Sequence, residues 1–169
     1  MKDNFGEICE EAIRVLVEHM PAANTLIKPT LLHSIRVGTY LYNNGYSQNI
    51  VLSGYLHDAI EDTGIKNDYI EKKFGKDVLD IILANSKDTN IDGNSNEESL
   101  RRCLAYGEDA LIVKAADILD NYKYYSRMGN QKGLDYCSKN TEYLLHIVSS
   151  DFNNAVVTEL KKFHAEVAD

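Results

Sequence analysis

The chain has 169 residues, 44% of them apolar and 26% charged, a balance that excludes a disordered or fibrous polypeptide and suffices for one hydrophobic core. Its formal net charge of −8 denies it the broad positive field that draws a nucleic-acid backbone, so nucleic acid is not an expected partner. Two prolines and ten glycines leave long stretches unbroken, which favours helices over a sandwich of short strands.

Met1-Lys2-Asp3-Asn4 carry no charged and then apolar leader, and no later run approaches the ~18 apolar residues of a membrane span; the expected location is cytoplasmic, away from membranes. Phe5, Ile8, Ala12, Val15, Leu16 and His19 recur at helical spacing and predict an amphipathic helix over 4–20, ended by Pro21. A second helix is expected from Pro29, whose fixed φ suits a first turn, through Leu32, Ile35, Arg36 and Leu41 to Asn43-Asn44-Gly45. Ser47 can cap a third, which carries Ile50, Val51, Tyr55, Leu56 and His57. The turn-rich Glu61-Asp62-Thr63-Gly64 follows, then a short helix over 68–74, and beyond Gly75 another in which Val78, Leu79, Ile81 and Ile82 are apolar. Residues 85–96 read as the longest loop, closed by Ser95-Asn96-Glu97-Glu98 as a capping box for the helix of Leu100 and Leu104.

From Asp109 to Met128 the pattern is helical and apolar on most sides in its first half, which marks the central, most buried helix. Gly129 and Gly133 are expected to bracket a turn, with one or two helices over 134–165 closing the bundle. Cys9, Cys103 and Cys137 are odd in number and lack CxxC spacing, so they read as reduced thiols. The expected fold is all-α, one helical bundle over 1–169, and nothing in the pattern sets an oligomeric state.

Three places in this apolar frame carry chemistry. Asp117 interrupts the run Ile112–Leu119, and an ionised carboxylate there needs a cation. An ion pair with a Lys or Arg would serve as well as a metal; Lys114 has a suitable spacing in its own helix, with its direction left open. His57-Asp58 closes an apolar helix, and Glu61 and Asp62 lie four residues beyond them, on nearly the same face if the helix continues. His33 adds a donor from a helix long enough to pack beside the other two. Two imidazoles and two carboxylates form an N₂O₂ set suited to one Mn²⁺, Fe²⁺ or similar ion with open positions for water and a phosphate oxygen.

His33, then His57-Asp58 with Glu61-Asp62-Thr63, then Lys114-Ala115-Ala116-Asp117-Ile118-Leu119-Asp120-Asn121 resemble the H…HD…D signature of the HD superfamily of metal-dependent phosphohydrolases. The pairing of the HD with Glu61-Asp62, Phe74-Gly75 leading to Lys87, and Asn121 four residues after Asp117 resemble more closely the (p)ppGpp hydrolase domain of RelA/SpoT proteins and their small single-domain SpoT-like homologues. The resemblance implies an HD-type helical bundle holding one divalent ion, Mn²⁺ favoured and Fe²⁺, Mg²⁺, Ni²⁺ or Zn²⁺ the alternatives, on His33, His57, Asp58 and Asp117. It implies that Glu61 and Asp62 orient and deprotonate the nucleophilic water, and that the substrate is a phosphorylated nucleotide contacted by Lys87, Asn121, Lys123 and Arg127. Hydrolysis of the 3′-pyrophosphate of (p)ppGpp is the expected reaction. The alternatives are a nucleotide monophosphate phosphatase and a non-catalytic nucleotide-binding module. The chain departs from that pattern in two places. The basic segment before the first histidine is reduced to Ala22–Thr30 with Lys28 its one cation, and Asp120 adds negative charge where a polyphosphate would be expected.

Overall fold

The computed structural model describes residues 4–20, 28–86, 96–149 and 152–168. Among these, ten helices and no strand follow one another: α1 (Phe5–His19), α2 (Thr30–Asn43), α3 (Gln48–Leu56), α4 (Ala59–Thr63), α5 (Asn67–Phe74), α6 (Lys76–Asn85), α7 (Asn96–Tyr106), α8 (Glu108–Met128), α9 (Gln131–Ile147) and α10 (Ala155–Ala168). None is long and apolar enough to cross a membrane.

The expected central helix is α8, which packs against α2, α3, α6, α7, α9 and α10. Being surrounded explains why Ala110, Val113, Ala115, Ile118 and Leu119 can face different directions and all be buried. It ends at Gly129, whose φ of 60° is the left-handed conformation that lets a helix close on its own last carbonyls without a Cβ clash. The remaining helices cover their apolar sides on this hub or on one another: α1 rests on α3, and α5 on α6.

The approach of α2 to α3 decides where two of the candidate donors stand. A Cβ at Gly38 would meet the Tyr55 ring at 2.3 Å, and one at Gly54 would meet Leu41 Cδ1 at 2.4 Å. Bare backbone at both positions lets the two helices close to a distance that larger residues would forbid. His33 and His57 lie on the same pair of helices, one near its start and the other just past its end.

Several expectations are corrected. The stretch expected to be turn-rich from Glu61 is helical up to Thr63: α3 stops at Leu56 and α4 restarts at Ala59. The turn stays close to helical, with Asp58 at φ −95° and ψ −4°, and the Asp62 amide still reaches the Asp58 carbonyl at 2.9 Å. Gly133 is not a turn residue: it lies inside α9, where a Cβ would be 2.2 Å from the Tyr125 ring. His19, expected on the apolar stripe of α1, is exposed, and Cys9 fills that stripe instead. Ser95, the first residue of the expected capping box, lies outside the described residues.

Candidate metal centre and active site

His33 enters the site from α2, His57 and Asp58 from the turn between α3 and α4, and Asp117 from the middle of α8. His33 Nε2 stands 3.2 Å from His57 Nε2, 3.2 Å from Asp117 Oδ1 and 3.8 Å from Asp58 Oδ2. His57 Nε2 stands 3.2 Å from Asp58 Oδ2 and 3.7 Å from Asp117 Oδ1. Two ligands ~2.1 Å from one ion are ~3.0 Å apart at a right angle and ~4.2 Å apart across it. Among the described residues, His33, His57 and Asp58 thus gather into one group that could hold a divalent cation, and Asp117 approaches it on the side of the two histidines.

The ring nitrogens turned away from this cluster set the tautomers. His57 Nδ1 lies 2.9 Å from the Gly54 carbonyl oxygen, which can only accept, so Nδ1 carries a hydrogen and Nε2 is the nitrogen that can ligate once its own proton is lost. His33 Nδ1 lies 2.7 Å from Asp120 Oδ2, with the same result. Both imidazoles are almost fully buried, at 0% and 2% exposure.

The electrostatics is that of clustered anions seeking positive charge. Burial pulls the His57 imidazole down, but Asp58, Asp117 and the Gly54 carbonyl outweigh it and lift its pKa to about 9. Burial works in the opposite sense on Asp117, whose carboxyl is nevertheless held well below the usual carboxylate range, by Lys114 first and then by the two histidines. Lys114 does not point away. Its Nζ is 3.4 Å from Asp117 Oδ2 and 3.2 Å from the Asn85 carbonyl, and despite its burial the pair raises its pKa.

Beside the donors opens a cavity of about 450 Å³, which Glu61 and Asp62 line together with Asp58 and Asp117. Asn121 also faces it; its Nδ2 donates to Asp117 Oδ1 at 2.6 Å and its Oδ1 accepts from Lys28 Nζ at 2.6 Å. Of the remaining expected contacts, Lys123 turns to the other side of α8. There it pairs with Glu159 at 2.5 Å and lies over the Tyr40 ring, and it does not line the cavity. Arg127 is exposed on the last turn of α8 and is absent from the cavity wall. Lys87 lies outside the described residues.

The cations that do face the cavity are Lys28 and Lys114, neither of which the sequence reading named as a substrate contact. The spacing of Lys114 to Asp117 was the available signal for the second; Lys28 sits before a helix, where no periodicity applies. Asp120, expected to repel a polyphosphate, is instead turned to Arg36 and His33. Tyr125 and Tyr136 also line the cavity, while Tyr122 is core, stacked edge-on against Phe163.

The family model for the HD domain matches residues 15–141. A probable guanosine-3′,5′-bis(diphosphate) 3′-pyrophosphohydrolase of Synechocystis is 29% identical over 112 residues, covering 62% of this chain and 15% of that protein. The guanosine-3′,5′-bis(diphosphate) 3′-pyrophosphohydrolase of Aquifex aeolicus is 30% identical over 100 residues, covering 57% of this chain and 14% of that protein. The chain thus spans about one seventh of the length of these relatives. Among solved structures, a metazoan ortholog of SpoT described as hydrolysing ppGpp superposes with a TM-score of 0.72 at 20% identity, over 99% of this chain and 97% of its own. The crystal structure of lmo0812 from Listeria monocytogenes superposes with a TM-score of 0.68 at 17% identity, over 88% of this chain and all of its own. Both likenesses are of fold.

Proposed function

The chain belongs to the HD domain family, and on that footing we propose that it is a divalent-metal-dependent phosphohydrolase of nucleotides that hydrolyses the 3′-pyrophosphate of (p)ppGpp. The observation that carries this reading is the gathering of His33, His57 and Asp58 into one group of possible ligands, with Asp117 Oδ1 3.2 Å from His33 Nε2, at the edge of a cavity lined by Glu61 and Asp62. The relatives named for this reaction support it.

A bound ion, with Mn²⁺ favoured, would supply a Lewis acid to the phosphoryl oxygens and lower the pKa of its water. Glu61 and Asp62, which line the cavity together with Asp58, orient the attacking water and accept its proton. Lys28, Lys114 and Asn121 hold phosphate oxygens, the two ammonium groups offsetting the charge that gathers on them as the bond to the ribose oxygen breaks. Water adds across the P–O bond; the ribose 3′-oxygen leaves with a proton and pyrophosphate departs. The whole chain, 1–169, acts as one hydrolase domain in the cytoplasm, with a small phosphorylated nucleotide as its partner.

A second reading, removal of a single phosphate from another nucleotide, is favoured by one observation: Lys28 alone remains of the expected basic segment before His33. Purified protein with Mn²⁺ and a nucleotide panel separates the two. Pyrophosphate released from ppGpp, with no phosphate from monophosphates, supports the first; the reverse establishes the second. Glu61→Gln and Asp62→Asn are expected to lose turnover by ~100-fold or more while retaining Mn²⁺, and full turnover in either removes that residue from the reaction.

A further inference from the structure

Behind His33, on the side away from the other donors, a carboxylate and a guanidinium are locked together. Asp120 Oδ2 accepts from His33 Nδ1 at 2.7 Å and from Arg36 Nη2 at 2.7 Å, and Asp120 Oδ1 accepts from Arg36 Nε at 2.8 Å. The Arg36 and Asp120 side chains are only 28% and 15% exposed, and neither lines the cavity. Arg36 stands three residues after His33 on α2, and Asp120 three residues after Asp117 on α8. The fork therefore fastens to each other the two helices that bring His33 and Asp117 into the site.

The structure assigns Asp120 and Arg36 a positioning role: they hold His33 in the Nδ1–H tautomer, with its Nε2 lone pair directed at the donor cluster, and thereby set the affinity of the site for a divalent cation. This rests on His33 being a ligand, as proposed above. A guanidinium remains charged at every working pH, so Asp120 stays ionised and can only accept. The imidazole nitrogen facing it must then be the donor, which leaves Nε2 free to ligate.

An amide at position 120 cannot do the same while Arg36 is present. If its nitrogen takes the place of Oδ1, it faces the Arg36 Nε–H. If it takes the place of Oδ2, it faces both Arg36 and the His33 Nδ1–H, and His33 can relieve the conflict only by moving its hydrogen to Nε2, the nitrogen that would bind the cation. Without Arg36 the amide is free to turn its oxygen to His33. Asp120→Asn should therefore be more damaging alone than in combination with Arg36→Met, the reverse of two independent losses of packing.

The test is Mn²⁺ binding, read from the loss of the free-ion electron paramagnetic resonance signal, with no substrate present. Asp120→Asn is expected to weaken binding ~10- to 100-fold. Arg36→Met, which leaves the acceptor in place, is expected to lose less, but at least ~3-fold. The double variant should bind more tightly than Asp120→Asn. Asp120→Asn within twofold of wild type, or a double variant whose losses simply multiply, overturns the assignment. Should Asp120→Asn not fold, Arg36→Met carries the test, and wild-type affinity in it overturns the role of the fork. A wild-type protein that binds no Mn²⁺ sinks instead the reading of His33 as a ligand.

Discussion

In the proposed function, a proton and a divalent cation would compete for the nitrogen of His57 that faces Asp58 and Asp117. With its pKa lifted to about 9 from an ordinary value near ~6.5, the imidazole of the cation-free protein stays protonated through neutral pH. That proton adds stability that is fully present below pH ~6.5 and is lost as the pH rises through about 9. The cation must displace it. Mn²⁺ affinity should thus rise with pH, by close to ~10-fold per unit between pH 6.5 and 8.5, with proton release on binding; titrations at those two values check it, and a flat profile refutes the proton's place on His57. Asp120 behaves in the opposite sense. Burial raises it, yet Arg36 and His33 bring it down to about 2, so its contribution to stability is present above pH ~4 and fades as the pH falls towards 2. Lys28 supplies a further expectation at this scale. Its ammonium reaches Asn121 Oδ1 at 2.6 Å and lines the cavity, so Lys28→Met should lower kcat/KM for a polyphosphorylated substrate ~10-fold, the loss of one charge-assisted hydrogen bond. Asp117 was legible in the sequence because an ionisable group in an apolar run has few explanations. Asp120 was misjudged because its partner Arg36 is 84 positions away.

At the scale of elements, helices and their order could be read from spacing, since 3.6-residue periodicity is local. Their separation could not. The closeness of α2 and α3 rests on Gly38 and Gly54, and Gly54 also supplies the carbonyl that holds the His57 tautomer. Gly54→Ala should destabilise the protein by ~1–3 kcal/mol, because the new methyl drives into Leu41, and should weaken Mn²⁺ binding by shifting α3 against α2. Chemical denaturation and a metal titration on the same variant read both effects; an unchanged midpoint would show that the helices can part freely. That a helix closes at His57-Asp58 was legible; that a new one restarts at once from Ala59 was not. Both residues are compatible with a helix, and what turns them towards the cluster is the packing of α3 and α4 around them.

For the molecule as a whole, α8 ties the site to the core: the residues that bury it lie on most of its neighbours, and Asp117 projects from its middle. A cation bound there by donors from α2, α8 and the α3–α4 turn would stabilise the native state alone. At a concentration 100 times its Kd, Mn²⁺ should add ~2.7 kcal/mol, a rise in Tm of ~5–10 °C for a chain of this size. Calorimetry with Mn²⁺ and with a chelator measures the shift, and Asp117→Asn should abolish it. A shift that survives Asp117→Asn would place the cation elsewhere.

The sequence by itself determined the helical class, the approximate bounds of the helices and the identity of the candidate donors. The class and bounds follow from local backbone periodicity, Asp117 stands out through the cost of burying charge, and the full donor set is what the resemblance to the HD superfamily implies. Only the tertiary structure decided that Lys28 and Lys114, rather than Lys123 and Arg127, face the cavity, and that Asp120 turns to His33. Which neighbour a helix face meets is set by packing between segments far apart in the chain, and no local pattern encodes that partner.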